Sequence, residues 1–268
     1  KNDGILRKST VACADESTVL ETKFHTSSDD EAEKSTRFDL STVELNRDLL
    51  RRNLVFSGKD TDSFSMAYKM LRTQVYQKMQ ANNWGTLGIT SAAAGEGKSL
   101  TAVNLAFSLS RASARPVVLV DLDLRRPTLV SKLGISTDLG ISDYLVRGVS
   151  LINVLLQIGD NLIFAPGTEE LPDASEILGS AHVERMLREF RDALPDALVI
   201  FDLPPVLMVD DVLALSPSLD ACLMVAEEGR TQRDDLQRAM DMMQMTNLLG
   251  VVLNKSGEMS NNHYYDKY

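Results

Sequence analysis

The stretch TLGITSAAAGEGKSLTAVNLAFSLSRA, residues 86–112, joins a short apolar run to a glycine-rich turn and then to a helical pattern. Its segment AAAGEGKS, residues 92–99, matches the A-x-x-x-x-G-K-S form of a phosphate-binding loop. Gly95 and Gly97 allow a tight turn whose backbone N–H groups point at phosphate oxygens. The positive N-terminus of the following helix favours the same anion. This order of strand, loop and helix predicts a nucleotide site.

The side chains of the loop predict which cofactors it takes. Lys98 supplies a mobile positive charge for the β- and γ-phosphates, and the Ser99 hydroxyl is a ligand for Mg²⁺. A nucleotide with β- and γ-phosphates and Mg²⁺ are therefore the predicted ligands of the loop. A chance glycine-rich turn is the weaker interpretation, because the match lies between a strand and a helix. The predicted nucleotide-binding residues in and beside the loop are Ala94, Gly95, Glu96, Gly97, Lys98, Ser99 and Leu100.

Short apolar runs alternate with helical patterns after Trp84. This alternation predicts an α/β fold, with a doubly wound, mainly parallel sheet and helices on both faces, as in P-loop NTPases. Ligands of such sheets bind beyond the carboxyl ends of the strands. The predicted strands are 86–90, 116–121, 161–165, 197–202, 221–226 and 248–254, and the main helices between them are 99–112, 182–193 and 231–245.

Acidic side chains stand at two of these strand ends. Asp121 and Asp123 lie in VVLVDLDLRRP, 117–127, on one side of an extended chain, and Asp202 ends the strand of LVIFDLPP, 198–205. Carboxylates beside a phosphate site would repel one another without a divalent cation, and Mg²⁺ suits oxygen ligands. Solvated acids at strand ends are the alternative. The predicted metal ligands are Ser99, Asp121, Asp123 and Asp202, and the predicted catalytic residues are Lys98 and the same three aspartates.

A hydroxyl that attacks phosphate needs a group to accept its proton. Asp121 is the first candidate, because its strand follows the helix of the loop. Asp123 stays open as the alternative.

The rest of the chain divides into a leading segment, a domain and a tail. Residues 1–45 are rich in Ser, Thr, Asp, Glu and Lys, which predicts a disordered or weakly ordered segment; a small extra element in 38–45 is the alternative. Residues 46–256 form the predicted P-loop domain, with an amphipathic helix in 63–80. Residues 257–268 are a tail with three tyrosines.

Composition excludes several classes of protein. The formal net charge of −10 argues against a nucleic-acid binder. The two cysteines, Cys13 and Cys222, match no metal spacing and form no disulfide framework, which favours the cytosol. We expect no membrane insertion by this chain, because its apolar runs are strand-sized. No signal peptide is visible, and a membrane segment before Lys1 stays open.

These motifs together resemble the bacterial tyrosine autokinases (BY-kinases) of exopolysaccharide and capsule synthesis, over roughly residues 50–268. AAAGEGKS, VVLVDLDLRRP and VIFDLPPVL carry the resemblance, which continues through EEGRTQRDDL, 227–236, and LLGVVLNKS, 248–256. It implies an ATP-dependent tyrosine autokinase that regulates polysaccharide polymerisation and export. Asn254 then lies on the adenine side of the nucleotide. The implied phosphoacceptors are Tyr264, Tyr265 and Tyr268.

The same resemblance implies partners and a location. The implied activator is the cytoplasmic segment of a membrane polysaccharide co-polymerase, which would recruit the cytoplasmic kinase to the inner face of the membrane. Homo-oligomers would form through the helix of 63–80, where the family carries E-x-x-R-x-x-R. This chain instead has Met66, Lys69 and Arg72. Lys69 and Arg72 are the remaining candidate oligomerisation residues, although lysine lacks the bidentate fork of arginine.

Two other functions share this fold. Partition and septum-positioning ATPases have the same loop, but they usually carry a further lysine early in it, where this chain has Ala92 and Ala93. A nucleotide-binding regulator with weak kinase activity would fit the altered helix motif. Both stay open as alternatives to the kinase.

Overall fold

One eight-stranded sheet organises the domain in the computed structural model, which describes residues 40–56 and 63–257. The strand order within this part is β1-β4-β5-β3-β6-β2-β7-β8. The strands are β1 (Ser41–Thr42), β2 (Thr86–Ser91), β3 (Val117–Asp121), β4 (Leu156–Ile158), β5 (Leu162–Ala165), β6 (Leu198–Asp202), β7 (Ala221–Glu227) and β8 (Leu248–Asn254).

Every neighbouring pair of strands runs parallel except β4 and β5. The predicted α/β fold with a mainly parallel sheet is therefore confirmed. All six predicted strands are present within about one residue of their predicted bounds. Strand β4 was not predicted, because its three residues are too short to show an alternating pattern.

Helices connect the strands and cover the sheet. The longest are α2 (Ser63–Ala81), α3 (Lys98–Ala112), α7 (Ala181–Ala193) and α9 (Arg233–Met242). They correspond to the four helices predicted from the sequence. The shorter ones are α1 (Arg47–Arg52), α4 (Leu129–Leu133), α5 (Ile141–Arg147), α6 (Ala174–Leu178) and α8 (Asp211–Leu215), with single 3₁₀ turns at Leu151–Val154 and Ser216–Ser218.

The two faces of the sheet carry separate hydrophobic cores. In β3, Val118 and Val120 face one core, which also contains buried side chains of α5 to α9. Val117 and Leu119 face the other core, together with buried side chains of α1 to α4. A strand buried on both faces reads as a continuous apolar run, as VVLV does. The sequence pattern of the strands thus reflects a sheet that helices cover on both sides.

The short strand β1 lies five residues before the predicted domain boundary at residue 46. Ser41 and Thr42 pair in parallel with Leu156 and Gln157, and the Val43 amide donates to the Gln157 carbonyl at 2.9 Å. Backbone hydrogen bonds hold this strand, so it needs no apolar period in the sequence. The small element considered for 38–45 is therefore present at 41–42. The rest of the leading segment, residues 1–39, lies outside the described residues.

Helix α2 has the two faces that its sequence predicts. Tyr68, Val75 and Met79 are buried in contact with the domain, whereas Met66 and Met70 are exposed. Lys69 and Arg72, the candidate oligomerisation residues, are half-buried. Cys222 is a buried free thiol. None of the helices within 40–56 and 63–257 has the length and apolar character needed to span a membrane.

Asp220 fixes the amino end of β2. Its Oδ2 accepts hydrogen bonds from the backbone N–H groups of Gly85 and Thr86, both at 2.8 Å, and from the Thr86 hydroxyl at 2.9 Å. We expect Asp220→Ala to lower the free energy of unfolding by about 1–3 kcal/mol, because these donors would lose their acceptor. Urea denaturation measures the change, with the exposed Asp138→Ala as control. Equal midpoints for the two variants would contradict this role of Asp220.

Candidate nucleotide and metal site

The phosphate-binding loop lies at the carboxyl end of β2, which is flanked by β6 and β7. Gly95 and Gly97 have φ angles of 84° and 100°. This left-handed region costs other residues energy, so the sequence needs glycine at both positions. Gly97 directly precedes α3, which begins at Lys98 and points its N-terminus at the loop. The local structure is the strand, loop and helix that the sequence predicted.

Side chains from β8 and from the turn after β7 hold the outer side of the loop. The Asn254 amide donates to the Glu96 carbonyl at 2.9 Å, and the Lys255 ammonium donates to the Gly95 carbonyl at 3.0 Å. The Glu96 side chain is buried; it accepts from the Ala93 N–H at 3.0 Å and from the Thr231 hydroxyl. The structure thus brings Asn254 to the loop, where its amide nitrogen contacts loop backbone. The predicted binding residues Ala94 and Gly95 remain exposed.

Lys98 connects the loop to the acidic strand ends. Its Nζ lies 2.6 Å from Asp123 Oδ2 and 3.6 Å from Asp202 Oδ1. It also donates to the Ser99 hydroxyl at 3.2 Å. Burial alone would lower the pKa of Lys98, but the charges of Asp202 and Asp123 outweigh it and raise that pKa. Lys98 is therefore a charged group held by an ion pair, rather than the freely mobile charge that the sequence suggested.

Asp121 and Asp202 are direct neighbours in the register of β3 and β6, and both are fully buried. Asp121 Oδ2 accepts the N–H groups of Thr128 and Leu129 at 3.2 and 3.0 Å. Among residues 40–56 and 63–257, no group donates a hydrogen bond to Asp121 Oδ1 or to either Asp202 oxygen. Burial, and then the charge of Asp202, raises the pKa of Asp121 well above its ordinary value. Burial also raises the pKa of Asp202. These oxygens need a cation or a proton.

The structure brings the predicted metal ligands together around Lys98. Asp121 neighbours Asp202 in the register of β3 and β6, and Lys98 contacts Asp123, Asp202 and Ser99. Within the described ranges, no group of three or more His, Cys, Asp or Glu side chains is already arranged around a metal position. Lys98 engages Asp123, and backbone N–H groups engage Asp121 Oδ2, so metal binding by all three carboxylates stays a prediction. Mg²⁺ commonly takes only one or two carboxylates and completes its shell with water and phosphate oxygens. The bare oxygens of Asp202 and the Ser99 hydroxyl beside Lys98 fit that smaller set.

Arg125, to which the sequence pattern assigned no role, joins the loops around this site. The Arg125 guanidinium binds the Asp211 carboxylate, with nitrogen-to-oxygen distances of 2.9–3.1 Å. Asp211 is fully buried at the start of α8. Arg125 stood visibly in the motif VVLVDLDLRRP, but nothing in the sequence indicated Asp211, because the two residues are 86 positions apart.

A second residue missed from the sequence is Gly167, after β5. A Cβ at this position would lie 3.2 Å from Asp121 Cγ and 2.6 Å from Pro127 Cβ. The backbone of residues 166–168 therefore comes close to the carboxylate of Asp121. Only a residue without a side chain fits in this space.

The family of the chain follows from a comparison with family models. Residues 87–267 match the CobQ/CobB/MinD/ParA nucleotide binding domain. The chain belongs to this family. The matched range includes the loop, both acidic strand ends and Asn254. These residues therefore belong to the family's nucleotide binding domain.

Named relatives within the family include bacterial tyrosine kinases. The tyrosine-protein kinase YwqD of Bacillus subtilis is 27% identical over 221 residues, which cover 81% of this chain and 92% of that protein. The tyrosine-protein kinase CpsD of Streptococcus agalactiae is also 27% identical, over 75% of this chain and 86% of its own length. The kinase domain of the Escherichia coli tyrosine kinase ETK superposes with a TM-score of 0.69 at 25% identity, over 80% of this chain and 81% of that domain. The resemblance to bacterial tyrosine kinases is therefore confirmed.

Another solved structure shares the fold. McdA from Cyanothece superposes with a TM-score of 0.54 at 23% identity, over 63% of this chain. The predicted phosphoacceptors Tyr264, Tyr265 and Tyr268 lie outside the described residues.

Proposed function

We propose that this chain is an ATP-dependent tyrosine kinase that transfers the γ-phosphate of ATP to Tyr264, Tyr265 and Tyr268 of its own tail. One observation carries the proposal: the described residues donate no hydrogen bond to Asp121 Oδ1 or to either Asp202 oxygen, and Asp202 lies beside Lys98 of the loop. A phosphate loop alone fits any nucleotide-binding protein. The likeness to named tyrosine kinases over four-fifths of the chain supports phosphoryl transfer to tyrosine.

The chemistry of this transfer assigns a role to each group. The tyrosine hydroxyl oxygen bonds to the γ-phosphorus, the bond from that phosphorus to ADP breaks, and a carboxylate accepts the hydroxyl proton. Asp121 is the better base, because its Oδ1 is bare whereas Lys98 engages Asp123. Lys98 leaves Asp123 to contact the β- and γ-phosphates, and Asn254 lines the adenine side.

Mg²⁺ would be held by Asp202 and Ser99, with Asp121 or Asp123 reaching it directly or through water. When bound, the ion neutralises charge on the phosphates. The loop backbone from Ala94 to Leu100 binds the phosphates in this proposal. ATP and Mg²⁺ are therefore the cofactors that the site residues favour.

The covalent length of the tail allows it to act as substrate. Asn254 ends β8 at the same end of the sheet as the loop, and Tyr264 lies ten positions further along the chain. An extended chain of that length reaches about 33 Å. The tail can therefore enter its own site or that of a neighbouring copy.

The regulatory setting follows from the kinase proposal. The activator would be the cytoplasmic segment of a membrane polysaccharide co-polymerase, which brings this kinase to the inner face of the membrane. The process under control is exopolysaccharide or capsule polymerisation and export. Self-association through Lys69 and Arg72 would be weak, because Met66 offers no acidic partner to an arginine of another copy.

Mass spectrometry of the C-terminal peptide after incubation with Mg-ATP tests the proposal. We expect phosphate on Tyr264, Tyr265 or Tyr268 in the wild type and none in Lys98→Met. Hydrolysis of ATP with an unmodified tail would indicate a partition-type ATPase instead. Bound nucleotide with neither activity would indicate a regulator.

A further inference from the structure

Arg125 joins three loops at the carboxyl edge of the sheet. Its Nε and one terminal nitrogen bind Asp211, and its other terminal nitrogen donates to the Pro172 carbonyl at 2.7 Å. Arg125 itself lies in the loop after β3. Asp211 follows β6 through residues 203–210, and Pro172 follows β5. Arg125 is therefore bonded to the segments that follow the three adjacent strands β5, β3 and β6.

The loops that Arg125 joins carry the acidic residues of the site. Asp123 lies two positions before Arg125, and the N–H groups that bind Asp121 come from residues 128–129 of the same loop. On the other side, Asp202 ends β6 nine positions before Asp211. The Leu122 amide donates to the Asp202 carbonyl at 2.9 Å, so the two loops diverge from a fixed point. Beyond that point, the contact between Arg125 and Asp211 connects the two loops again.

The energetics of this contact favour a geometric role over a purely stabilising one. Asp211 is fully buried, and moving its charge out of water costs free energy. The attraction to Arg125 does little more than offset this desolvation cost. Apolar side chains of similar volume often stabilise such a position equally well. A two-point arginine–carboxylate contact, however, fixes distance and orientation in a way that lysine cannot.

We propose that Arg125 and Asp211 are a positioning pair that sets the separation of the Asp123 and Asp202 carboxylates around Lys98. The proposal rests on the proposed nucleotide function of the site. Lys98 lies between the two carboxylates, with its Nζ 2.6 Å from Asp123 and 3.6 Å from Asp202. A looser pair would misplace Asp202 relative to Ser99 and weaken the hold on a metal bound with nucleotide. The backbone of the phosphate loop would be unaffected.

Binding of ADP in the presence of Mg²⁺ and in the presence of EDTA tests this role. The dissociation constant measured in EDTA, divided by the one measured in Mg²⁺, gives the factor by which the metal strengthens nucleotide binding. We expect Arg125→Lys and Asp211→Asn to reduce this ratio by about tenfold. We expect their affinity for metal-free ADP to change by less than about twofold, because the loop backbone and Lys98 stay in place. Arg125→Met should lower the ratio at least as much as Arg125→Lys.

Two control variants separate positioning from stability. Arg126→Lys changes the neighbouring arginine, whose side chain is exposed, and should keep the wild-type ratio. Arg147→Met removes an arginine from the buried carboxylate of Asp143 in α5, a pair that does not include Arg125 or Asp211. It should lower the unfolding midpoint without changing the ratio. Circular dichroism identifies the temperature at which every variant is folded, and binding is measured there.

The outcomes distinguish this proposal from the proposed function. A wild type that binds Mg-ADP, together with Arg125 variants that keep its metal coupling, would overturn the positioning role alone. The role would also be overturned if the variants lost metal-bound and metal-free affinity equally, because that pattern indicates general damage. A wild type that binds no ADP would overturn the nucleotide function and the positioning role with it.

Discussion

Replacement of Gly97 by alanine is expected to raise the dissociation constant for Mg-ADP by roughly 30- to 1000-fold. The φ angle of 100° is unfavourable for alanine by about 1–3 kcal/mol, so the free loop would relax to another conformation, and phosphate binding would have to restore the strained one at that cost. The new Cβ would lie 1.9 Å from the Asn254 amide nitrogen, so Asn254 must move and release the Glu96 carbonyl. Loss of that hydrogen bond adds about 1 kcal/mol. A total of about 2–4 kcal/mol corresponds to the stated range.

A second glycine isolates the effect of the loop from that of backbone strain. Gly159 also has a positive φ, of 59°, and a Cβ there would meet nothing within 4 Å. Gly159→Ala should therefore lose some stability and keep nucleotide affinity. Isothermal titration calorimetry with Mg-ADP on both variants makes the comparison. Equal affinities for the two variants would show that the loop geometry of Gly97 is unimportant for binding.

Asp202→Asn is expected to stabilise the protein and to reduce phosphoryl transfer by about 100- to 1000-fold. The stabilisation should be about 1 kcal/mol at pH 7, because the variant no longer buries this carboxylate beside Asp121. The loss of activity arises because an amide cannot replace the charged metal ligand. Opposite changes in stability and activity are typical of residues that a fold retains for function.

The pH dependence of the stabilisation gives a further check. Burial raises the pKa of Asp202 in the folded protein above its value in the unfolded chain. The favourable contribution of such a group is complete below the unfolded pKa of about 4 and is lost as the pH rises through the folded pKa. Asp202→Asn should therefore match the wild type near pH 4 and exceed it at pH 7. Urea denaturation at both pH values measures this difference.

The control for Asp202 is an aspartate at the opposite end of the strands. Asp160 is exposed in the turn before the amino end of β5. Asp160→Asn makes the same change in charge and should leave activity and its pH dependence unaltered. If Asp202→Asn kept full phosphoryl transfer, a metal-binding role for Asp202 would be excluded.

The fold could be predicted from the sequence because its signals are local. A buried parallel strand shows as a continuous apolar run, and the loop of 92–99 combines glycines, lysine and serine at fixed spacing. The strands β1 and β4, at one side of the sheet, could not be predicted in this way. They are held by backbone pairing and are too short to show an apolar or alternating pattern. The short helices α4 and α8 are positioned by tertiary contacts in the same manner.

The site could be predicted only in part, because its decisive contacts are between distant residues. The sequence placed Asp121, Asp123 and Asp202 at strand ends, which is where they lie. It could not show that Lys98 engages Asp123 or that Asp121 turns to the backbone of α4. The pair of Arg125 and Asp211 likewise forms only once three loops meet. Side-chain pairing across a sheet edge depends on packing that no local pattern encodes.

The most direct test of the central claim compares phosphotyrosine formed with ADP released during the first turnovers with Mg-ATP. Quantitative mass spectrometry of the tail measures the first, and chromatography measures the second. A tyrosine kinase that acts on its own tail predicts equal amounts of the two in the wild type and neither in Lys98→Met. ADP that accumulates with free phosphate, while Tyr264, Tyr265 and Tyr268 remain unmodified, would contradict it.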